Sequence, residues 1–482
     1  PIPLNDLDMS AIIDIRRRAQ SAFKTKKFQE SLSLYTESLT RFSTDPIAFI
    51  ERAIVFARLN YPALVLCDAQ RALRIFESIG GDEQYLILAY NADQSSTDHQ
   101  IPGAAAKQYR DETYTNICFC HASALRNLHL YNESIPWYEK CSSRATSDAE
   151  RQQLNLHIQN IKQHKSGGSL DSTNRYPWDI YNKRKNDPAA LLSNIKSTIE
   201  SGSYLTVKKI EIYSSDEQPQ FGIFTTKQTA RSQPVFTEMH TLCVHSAVSP
   251  VCDHCNADLW DDPFRCPRCS TAYCDQNCRM AAQNLYHDQL CTKDISVLTR
   301  DINSASSTKS LIPLQILKLF AISITTGIHP LDQPLVRNLA HITFERGLHR
   351  PYSLQSLDNY TAIIDILDLR QFRSDFDYWI YLTLENLLVS NIFAHKTSEG
   401  VPWKAYIFPH IAMFNHSCTP NASLSMEGIE TKIVASSILQ PGDEVVISYI
   451  DNMARVEERQ KILLHGWGFV CRCAKCIREG AI

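Results

Sequence analysis

Small and aromatic residues return at helical spacing along the first third of the chain. They stand at Ala19, Phe23, Phe28, Ser31, Tyr35, Ser38 and Leu39, then at Ala53, Phe56, Tyr61, Ala69, Ala72 and Leu73, and again at Ala122, Tyr131, Ser134, Ile135 and Tyr138. Small side chains let two antiparallel helices approach, and aromatic ones fill the space beside them. Phe28 and Tyr61 are 33 residues apart and Phe28 and Tyr131 103, each within one of a multiple of about 34, so the pattern predicts repeated helical hairpins. Asn91 to Lys107 interrupts it with Asp, Gln, Ser, Thr, Pro and Gly and predicts an inserted loop.

Lys165 to Asn174 is a polar, glycine-containing seam and the best boundary before the rest of the chain. Beyond it, β-branched and aromatic runs at Tyr204–Tyr213, Phe221–Thr226, Thr431–Ser436 and Glu444–Ile450 predict strands, while Thr361–Ile392 is largely helical in pattern. The longest apolar stretch, Leu311–Ile328, contains Pro313, Gln315 and Lys318 and reads as a buried or amphipathic helix rather than a membrane span. The start at Pro1 lacks the basic, apolar and small-residue succession of a signal peptide, so neither secretion nor membrane insertion is expected.

Composition narrows the chemistry. With 44% hydrophobic positions over 482 residues, more than one core can form. Lys and Arg total 49 against 52 Asp and Glu; that near-balance supplies none of the attraction a dedicated nucleic-acid binder relies on, and a DNA-contacting finger is disfavoured by it and by cross-brace zinc spacing. Eleven of sixteen cysteines fall into tight groups, the spacing of metal ligands in a reducing compartment, cytoplasmic or nuclear. For the same reason the sequons at Asn415 and Asn421 are read as unglycosylated. Cys67, Cys118, Cys120, Cys141 and Cys243 have no second ligand set and are assigned to core packing.

The strongest local motif is Cys252-x2-Cys255-x10-Cys266-x2-Cys269-x4-Cys274-x3-Cys278-x8-His287-x3-Cys291. Eight thiolate or imidazole donors complete two tetrahedral zinc sites. Spacing alone leaves sequential and interleaved pairings open. So short a segment has too little apolar material to fold alone, and metal binding would supply much of its folding free energy. Arg265, Arg268 and Arg279 offer it a basic face.

Asn415-His416-Ser417-Cys418-Thr419-Pro420-Asn421, then Pro441-Gly442-Asp443-Glu444-Val445-Val446-Ile447-Ser448-Tyr449, then Cys471-x-Cys473-x2-Cys476 follow in order. Together these resemble the hallmarks of the SET domain and its post-SET tail. The eight-donor motif resembles the MYND finger, and the pair resembles the SET and MYND protein lysine methyltransferases over about residues 200–477. The first third resembles tetratricopeptide repeats. The expected fold is α+β: an all-α repeat domain (1–166), a linker (167–199), a SET domain in two parts (200–251 and 386–455) split by the finger (252–291) and a helical insert (292–385), and a post-SET segment (456–482).

The resemblance implies site residues. Zinc would sit on Cys252, Cys255, Cys274 and Cys278, on Cys266, Cys269, His287 and Cys291, and, with Cys418 supplying the fourth ligand, on Cys471, Cys473 and Cys476. S-adenosylmethionine would be held by Phe221, Gly222, Asn391 on an upstream strand, Asn415, His416, Tyr449 and Phe469. Tyr449 would be the catalytic tyrosine, with Phe393 and Trp467 lining a lysine channel, and the segments near Asn415 and Tyr449 would cross in a knot-like way. Such a site needs no strong general base, because a dry channel beside a sulfonium favours the neutral amine. The implied substrate is a lysine of a histone or another protein, with further protein partners on the repeats and finger.

One position departs from the family pattern: its early Gly-x-Gly is Gln220-Phe221-Gly222 here. The alternative reading is therefore a catalytically weak or inactive adaptor binding partners through repeats and finger. A terminal-carboxylate clamp is not expected of the repeats, since Arg16 and Gln20 suit one but Cys120 occupies the third repeat's arginine position. Relatives often carry a C-terminal helical lobe, and this chain ends at Ile482, so the repeats are expected to share in substrate presentation.

Overall fold

A computed structural model describes residues 6–78, 84–94, 100–145, 147–163, 176, 188–200, 204–215, 218–239, 242–246, 251–259, 262–300, 308–340, 352–396, 402–427 and 430–480. The chain divides into two compact units. Pro1–Ser172, His349–Asp358 and Asp368–Trp379 form the first; Thr173–Leu348, Asn359–Leu367 and Ile380–Ile482 form the second.

Among the described residues, the first unit leads with the helices α1 (Asp6–Lys24), α2 (Phe28–Arg41), α3 (Pro46–Arg58), α4 (Pro62–Ser78), α5 (Gln84–Gln94), α6 (Gly103–Asn127), α7 (Tyr131–Arg144) and α8 (Asp148–Gln163). The turns α1–α2, α3–α4 and α6–α7 are built alike. Each places a non-glycine residue in the left-handed region, Lys26, Asn60 and His129. In each, the next residue's N–H reaches a carbonyl five back: Lys27 to Ala22, Tyr61 to Phe56 and Leu130 to Leu125. The first two turns lie 34 residues apart (60 minus 26), so Tyr61 matches Lys27 and not Phe28, a one-residue correction to the sequence alignment. Fully buried Ala19 and Ser31 show the close approach, the serine hydroxyl donating to the Ala19 carbonyl at 2.9 Å.

Two expectations change here. The helix α5 runs to Gln94 and α6 starts at Gly103, so the interruption is shorter than 91–107; residues 95–99 lie outside the described residues, as does the 165–174 seam. Parts of the insert assigned to the SET region by sequence, His349–Asp358 and Asp368–Trp379, belong to the helical unit. The helical pattern of 361–392 is broken accordingly, into Leu354–Ile366 and Tyr378–Asn391. Asp368 takes a left-handed conformation that stops the first helix.

The second unit opens with the helix Pro188–Ile199, which packs on a hairpin of β1 (Leu205–Ser215) and β2 (Gln218–Thr225). Next come β3 (Pro234–Met239), β4 (Leu242–His245), the finger hairpin β5 (Phe264–Arg265) and β6 (Ala272–Tyr273), then β7 (Ile392–Lys396), β8 (Pro402–Ile407), β9 (Ala422–Glu427) and β10 (Glu430–Ala435). Two three-stranded antiparallel sheets result, in the orders β3-β10-β9 and β4-β8-β7. Their inward residues share one core with Val207, Ile223, Phe408, Phe414, Ile433, Val445 and Ile447. Glu444–Ile450, expected as a strand, makes only isolated bridges at Glu444 and Ile447. Its amides find different partners in turn, Val445 the Ile223 carbonyl and Ile447 the Asn415 carbonyl, so no single ladder forms.

The apolar run is the buried helix Ile312–Thr326. Among the described residues no helix is long and apolar enough to cross a membrane. Its buried Lys318 donates to the carbonyls of Asp253 (2.7 Å) and Cys243 (3.2 Å) and pairs with the Asp253 carboxylate (3.2 Å), 4.6 Å from the Tyr286 ring centre. Burial alone would push the Asp253 carboxyl up, yet the charges of Lys318 and His245 hold it below the usual carboxylate range. A second buried lysine, Lys404 on β8, reaches Asp258 at 2.7 Å. The finger is thus tied to helix and sheet by charge as well as by its own fold. Replacing Lys318 by Met leaves Asp253 without its cation and should lower stability by about 3–5 kcal/mol. Thermal or denaturant midpoints of the zinc-loaded chain read this; a variant within about 0.5 kcal/mol of the parent would show the pair to be dispensable.

Candidate active site and metal centres

Three sets of four side chains place their ligand atoms within 4.8 Å of one another: Cys252, Cys255, Cys274 and Cys278; Cys266, Cys269, His287 and Cys291; Cys418, Cys471, Cys473 and Cys476. The geometry therefore brings the finger ligands together in the interleaved order. Sulfur separations of 3.7 Å (Cys255–Cys274), 3.8 Å (Cys266–Cys291), 3.4 Å (Cys274–Cys278) and 3.5 Å (Cys418–Cys476) suit a tetrahedron around an ion bonded at about 2.3 Å to sulfur, whose edge is about 3.8 Å. Each set could hold a zinc ion.

Local backbone explains how the sets form. After each Cys-x2-Cys a residue turns left-handed, Asn256 and Ser270, and its N–H bonds the first cysteine's carbonyl at 2.8 and 2.9 Å. Asp275 caps the helix Gln276–Ala282 by accepting from the Cys278 N–H, fixing that ligand. A π-helical turn, Gln283–His287, rotates His287 inward. Its Nε2 lies 3.5 Å from the Cys269 sulfur, while Nδ1 meets the buried Tyr273 hydroxyl at 2.9 Å, which orients the ring for ligation through Nε2. Tyr273 carried no sequence signal beyond its neighbour Cys274. The five remaining cysteines are all buried, as core packing requires.

Around the third set, Asn415–Ser417 runs alongside Ile447. The Ile447 N–H donates to the Asn415 carbonyl and the Ser417 N–H to the Ile447 carbonyl, both at 2.9 Å, and His416 bridges Ile447 in parallel. Glu238 braces the approach by accepting from the His410 and Ile411 N–H groups and from His410 Nδ1. Asn421 accepts from the Val446 N–H at 2.9 Å and donates to the Glu444 carbonyl at 2.7 Å, so its side chain substitutes for a strand neighbour.

Asn415 donates to the Phe221 carbonyl and to Glu444 Oε1, each at 2.8 Å. A Cβ on Gly222 would stand 2.6 Å from that same Oε1 and 2.6 Å from Ile210 Cδ1, so any larger residue there would have to push the ends of those two side chains aside. Gln220 pairs with Ile210 on the edge of the same hairpin. Burial raises the Glu444 carboxyl above its ordinary range, while the Asn415 amide works against the rise. Glu444 was not singled out by the sequence, although it lies within the quoted Gly-Asp-Glu run.

The Tyr449 N–H donates to His416 Nδ1 at 3.0 Å, leaving Nε2 to carry the proton 3.3 Å from the Cys418 sulfur. Burial, then the Arg459 charge, pushes the His416 imidazole down to about 4, in keeping with a neutral ring. The Tyr449 hydroxyl donates to the Phe414 carbonyl at 2.6 Å. Burial and the Glu444 charge raise its pKa, so the phenol stays protonated and its oxygen keeps acceptor lone pairs. Ring centres lie 5.3 Å apart for Tyr449 and His416, 5.2 Å for Tyr449 and Trp467, and 6.1 Å for His416 and Phe469. Gly468, left-handed at φ +76°, ends the helix Val456–Trp467 and turns Phe469 back toward His416.

Phe393 lies on β7 and packs on the sheet core, its ring centre 5.3 Å from Phe408; Tyr449 borders both that core and the Cys418 cluster. Asn391 is displaced from its expected setting. It ends the helix Tyr378–Asn391 rather than standing in a strand, and its amide donates to the carbonyls of Leu387 (2.7 Å) and Ala340 (2.9 Å). The neighbouring Ser390 carbonyl receives the Trp467 indole N–H at 2.8 Å, linking that corner to the aromatic group. Sequence reasoning also missed Arg459, whose guanidinium reaches Cys476 (3.7 Å), Glu479 (2.6 Å) and the Ala454 carbonyl. Four thiolates around a bound dication would leave excess negative charge, which this buried cation would offset.

Residues 220–450 match the family model described as the SET domain. The chain carries a SET domain. Relatives extend the likeness: it is 31% identical over 221 residues to N-lysine methyltransferase SMYD2 of Mus musculus, covering 44% of this chain and 47% of that one. It is 25% identical over 275 residues to Histone-lysine N-methyltransferase ASHR1 of Arabidopsis thaliana, covering 54% of each. The chain spans about half the length of the curated relatives it matches. These likenesses, together with the paired cysteine sets of the finger, support the SET and MYND family.

Metal analysis of the purified chain should find about three zinc ions per molecule. Cys418→Ser should reduce this to about two while sparing the finger's pair, and an unchanged zinc content in that variant would remove Cys418 from the third set.

Proposed function

We propose that the chain is a protein lysine N-methyltransferase that uses S-adenosylmethionine to methylate a lysine of a histone or another protein. The observation that carries this reading is the protonated Tyr449 hydroxyl, anchored on the Phe414 carbonyl and walled by His416 and Trp467. The relatives support the reaction class through their names, an N-lysine methyltransferase and a histone-lysine N-methyltransferase.

The pocket residues fit the cosubstrate by shape and donor set. Gly222 lets backbone come within reach of Glu444, Asn415 fixes the Phe221 carbonyl, and Phe469 offers a flat apolar face beside His416. Together with Asn391, these are the groups that would hold S-adenosylmethionine, which supplies an electrophilic methyl on a sulfonium. Trp467, Tyr449 and Phe393 would exclude water from the incoming lysine, whose amine, with a free pKa of about 10.4, loses its proton more readily when desolvated. Because Tyr449 spends its proton on Phe414, its oxygen is left to accept from the amine and set the line of attack.

The metal sets would be zinc sites, with Cys418 tying the tail to the Asn415–His416 segment. The three like hairpin turns favour tetratricopeptide repeats that, with the finger, bind partner proteins. Arg16 itself is not free for a peptide terminus, being buried against Asp45 (2.9 Å) and Glu51 (2.8 Å).

Calorimetric titration with S-adenosylmethionine should show saturable binding below about 1 mM. Tyr449→Phe should keep that binding and lose methyl transfer by about a hundredfold or more on a peptide array. No saturable binding would leave the adaptor reading standing, and full activity in the variant would remove Tyr449 from the reaction.

A further inference from the structure

Arg52 of α3 is fully buried in the helical unit and holds two carboxylates. Asp68 of α4 takes a bidentate grip at 2.8 and 2.6 Å. The other, Asp377, is 325 residues away in sequence and bonds at 2.9 and 3.4 Å. Phe372, from the same Asp368–Trp379 stretch, lays its ring 4.7 Å from the Arg52 guanidinium and 5.5 Å from that of Arg71, and packs edge-on to Phe49 at 5.8 Å. Two features of one peptide segment, an aromatic ring and a carboxylate five residues later, are thus read by side chains of α3 and α4.

The charges indicate what the site requires. Arg52 and Arg71 face Asp68 and Asp377; without Asp377, a buried cation loses one of its two partners, which the low-dielectric surroundings strongly disfavour. A second carboxylate is therefore part of the site, and bidentate geometry selects a planar anion over a neutral amide. Phe49 and Phe56 of α3, with ring centres 5.7 and 5.3 Å from the guanidinium, add an aromatic wall that favours a ring such as that of Phe372.

We propose that the α3–α4 face of the helical unit is a receptor for an aromatic-and-acidic peptide segment, and that the chain fills it in cis with Phe372 and Asp377. An external peptide of that chemistry would enter only on displacing the internal one. The inference is independent of methyl transfer.

The test uses the full chain and a fluorescent synthetic peptide of residues 367–379, followed by fluorescence anisotropy. Wild type should show no saturable binding up to about 100 µM. The Phe372→Ala, Asp377→Asn double variant, with its internal ligand weakened, should bind the wild-type peptide saturably. That variant should bind a peptide carrying the same two changes about tenfold more weakly or worse. Equal binding by wild type and variant, or no binding by a variant with native circular dichroism, would overturn the proposal. If the double variant does not fold, Asp377→Asn alone, which keeps the side chain's shape, is read by hydrogen exchange. Amides of 369–377 should exchange about tenfold faster than in wild type, with those of α1 and α2 unchanged. Unchanged protection there would show that the carboxylate does not hold the segment.

Discussion

The second unit depends on the side-by-side run of Asn415–Ser417 with Ile447. Two backbone bonds fix it, and the side chains of the site take their positions from those bonds. Asn415 is set to hold Phe221 and Glu444, His416 to receive the Tyr449 amide, and Cys418 to face the tail cysteines. Because Glu444–Tyr449 spreads its hydrogen bonds over β2, the Asn415 segment and the Asn421 side chain, it is shaped by three neighbours instead of one. That is why it departs from a regular strand and why Tyr449 points where it does.

Among the described residues, the buried charges are answered by partners. Lys318 and Lys404 tie the finger to helix and sheet through Asp253 and Asp258, Arg459 sits among the tail thiols, and Arg52 lies between Asp68 and Asp377. Three of these contacts, Lys318–Asp253, Lys404–Asp258 and Arg52–Asp377, join segments distant in sequence. Such pairs add little net stability over apolar packing, but breaking one strands a charge, so they select one arrangement among many. With zinc bound, the three cysteine sets would act similarly, since a metal site fixes four chain positions at once.

The motifs were legible because their chemistry demands residue types at short spacing. Cys-x2-Cys pairs, the Asn-His-Ser-Cys run and the Gly-Asp-Glu to Tyr449 run are local, and their residues do converge. Helical hairpins were legible through small residues at close approach, although the register of Tyr61 slipped by one because an aromatic side chain does not reveal the turn's left-handed residue. The family resemblance set Asn391 on a strand whereas the helical pattern of 361–392 ran through it, and the helix does reach it; a tertiary bond to the Ala340 carbonyl helps keep it at the helix end.

By itself, the sequence determined which residues could be metal ligands, which helices would pair and which tyrosine would stand beside the Asn-His segment. The ligands and the helix pairing follow from coordination chemistry and periodicity, which act over tens of residues or less, and the tyrosine from the resemblance to the SET domain. Only the tertiary structure decided how the eight finger donors pair, that Gly222 packs against the Glu444 carboxylate, that Lys318 anchors the finger, and that Phe372 and Asp377 belong to the helical unit. Those outcomes turn on contacts between residues far apart in the chain, and no local pattern encodes a partner's position in space.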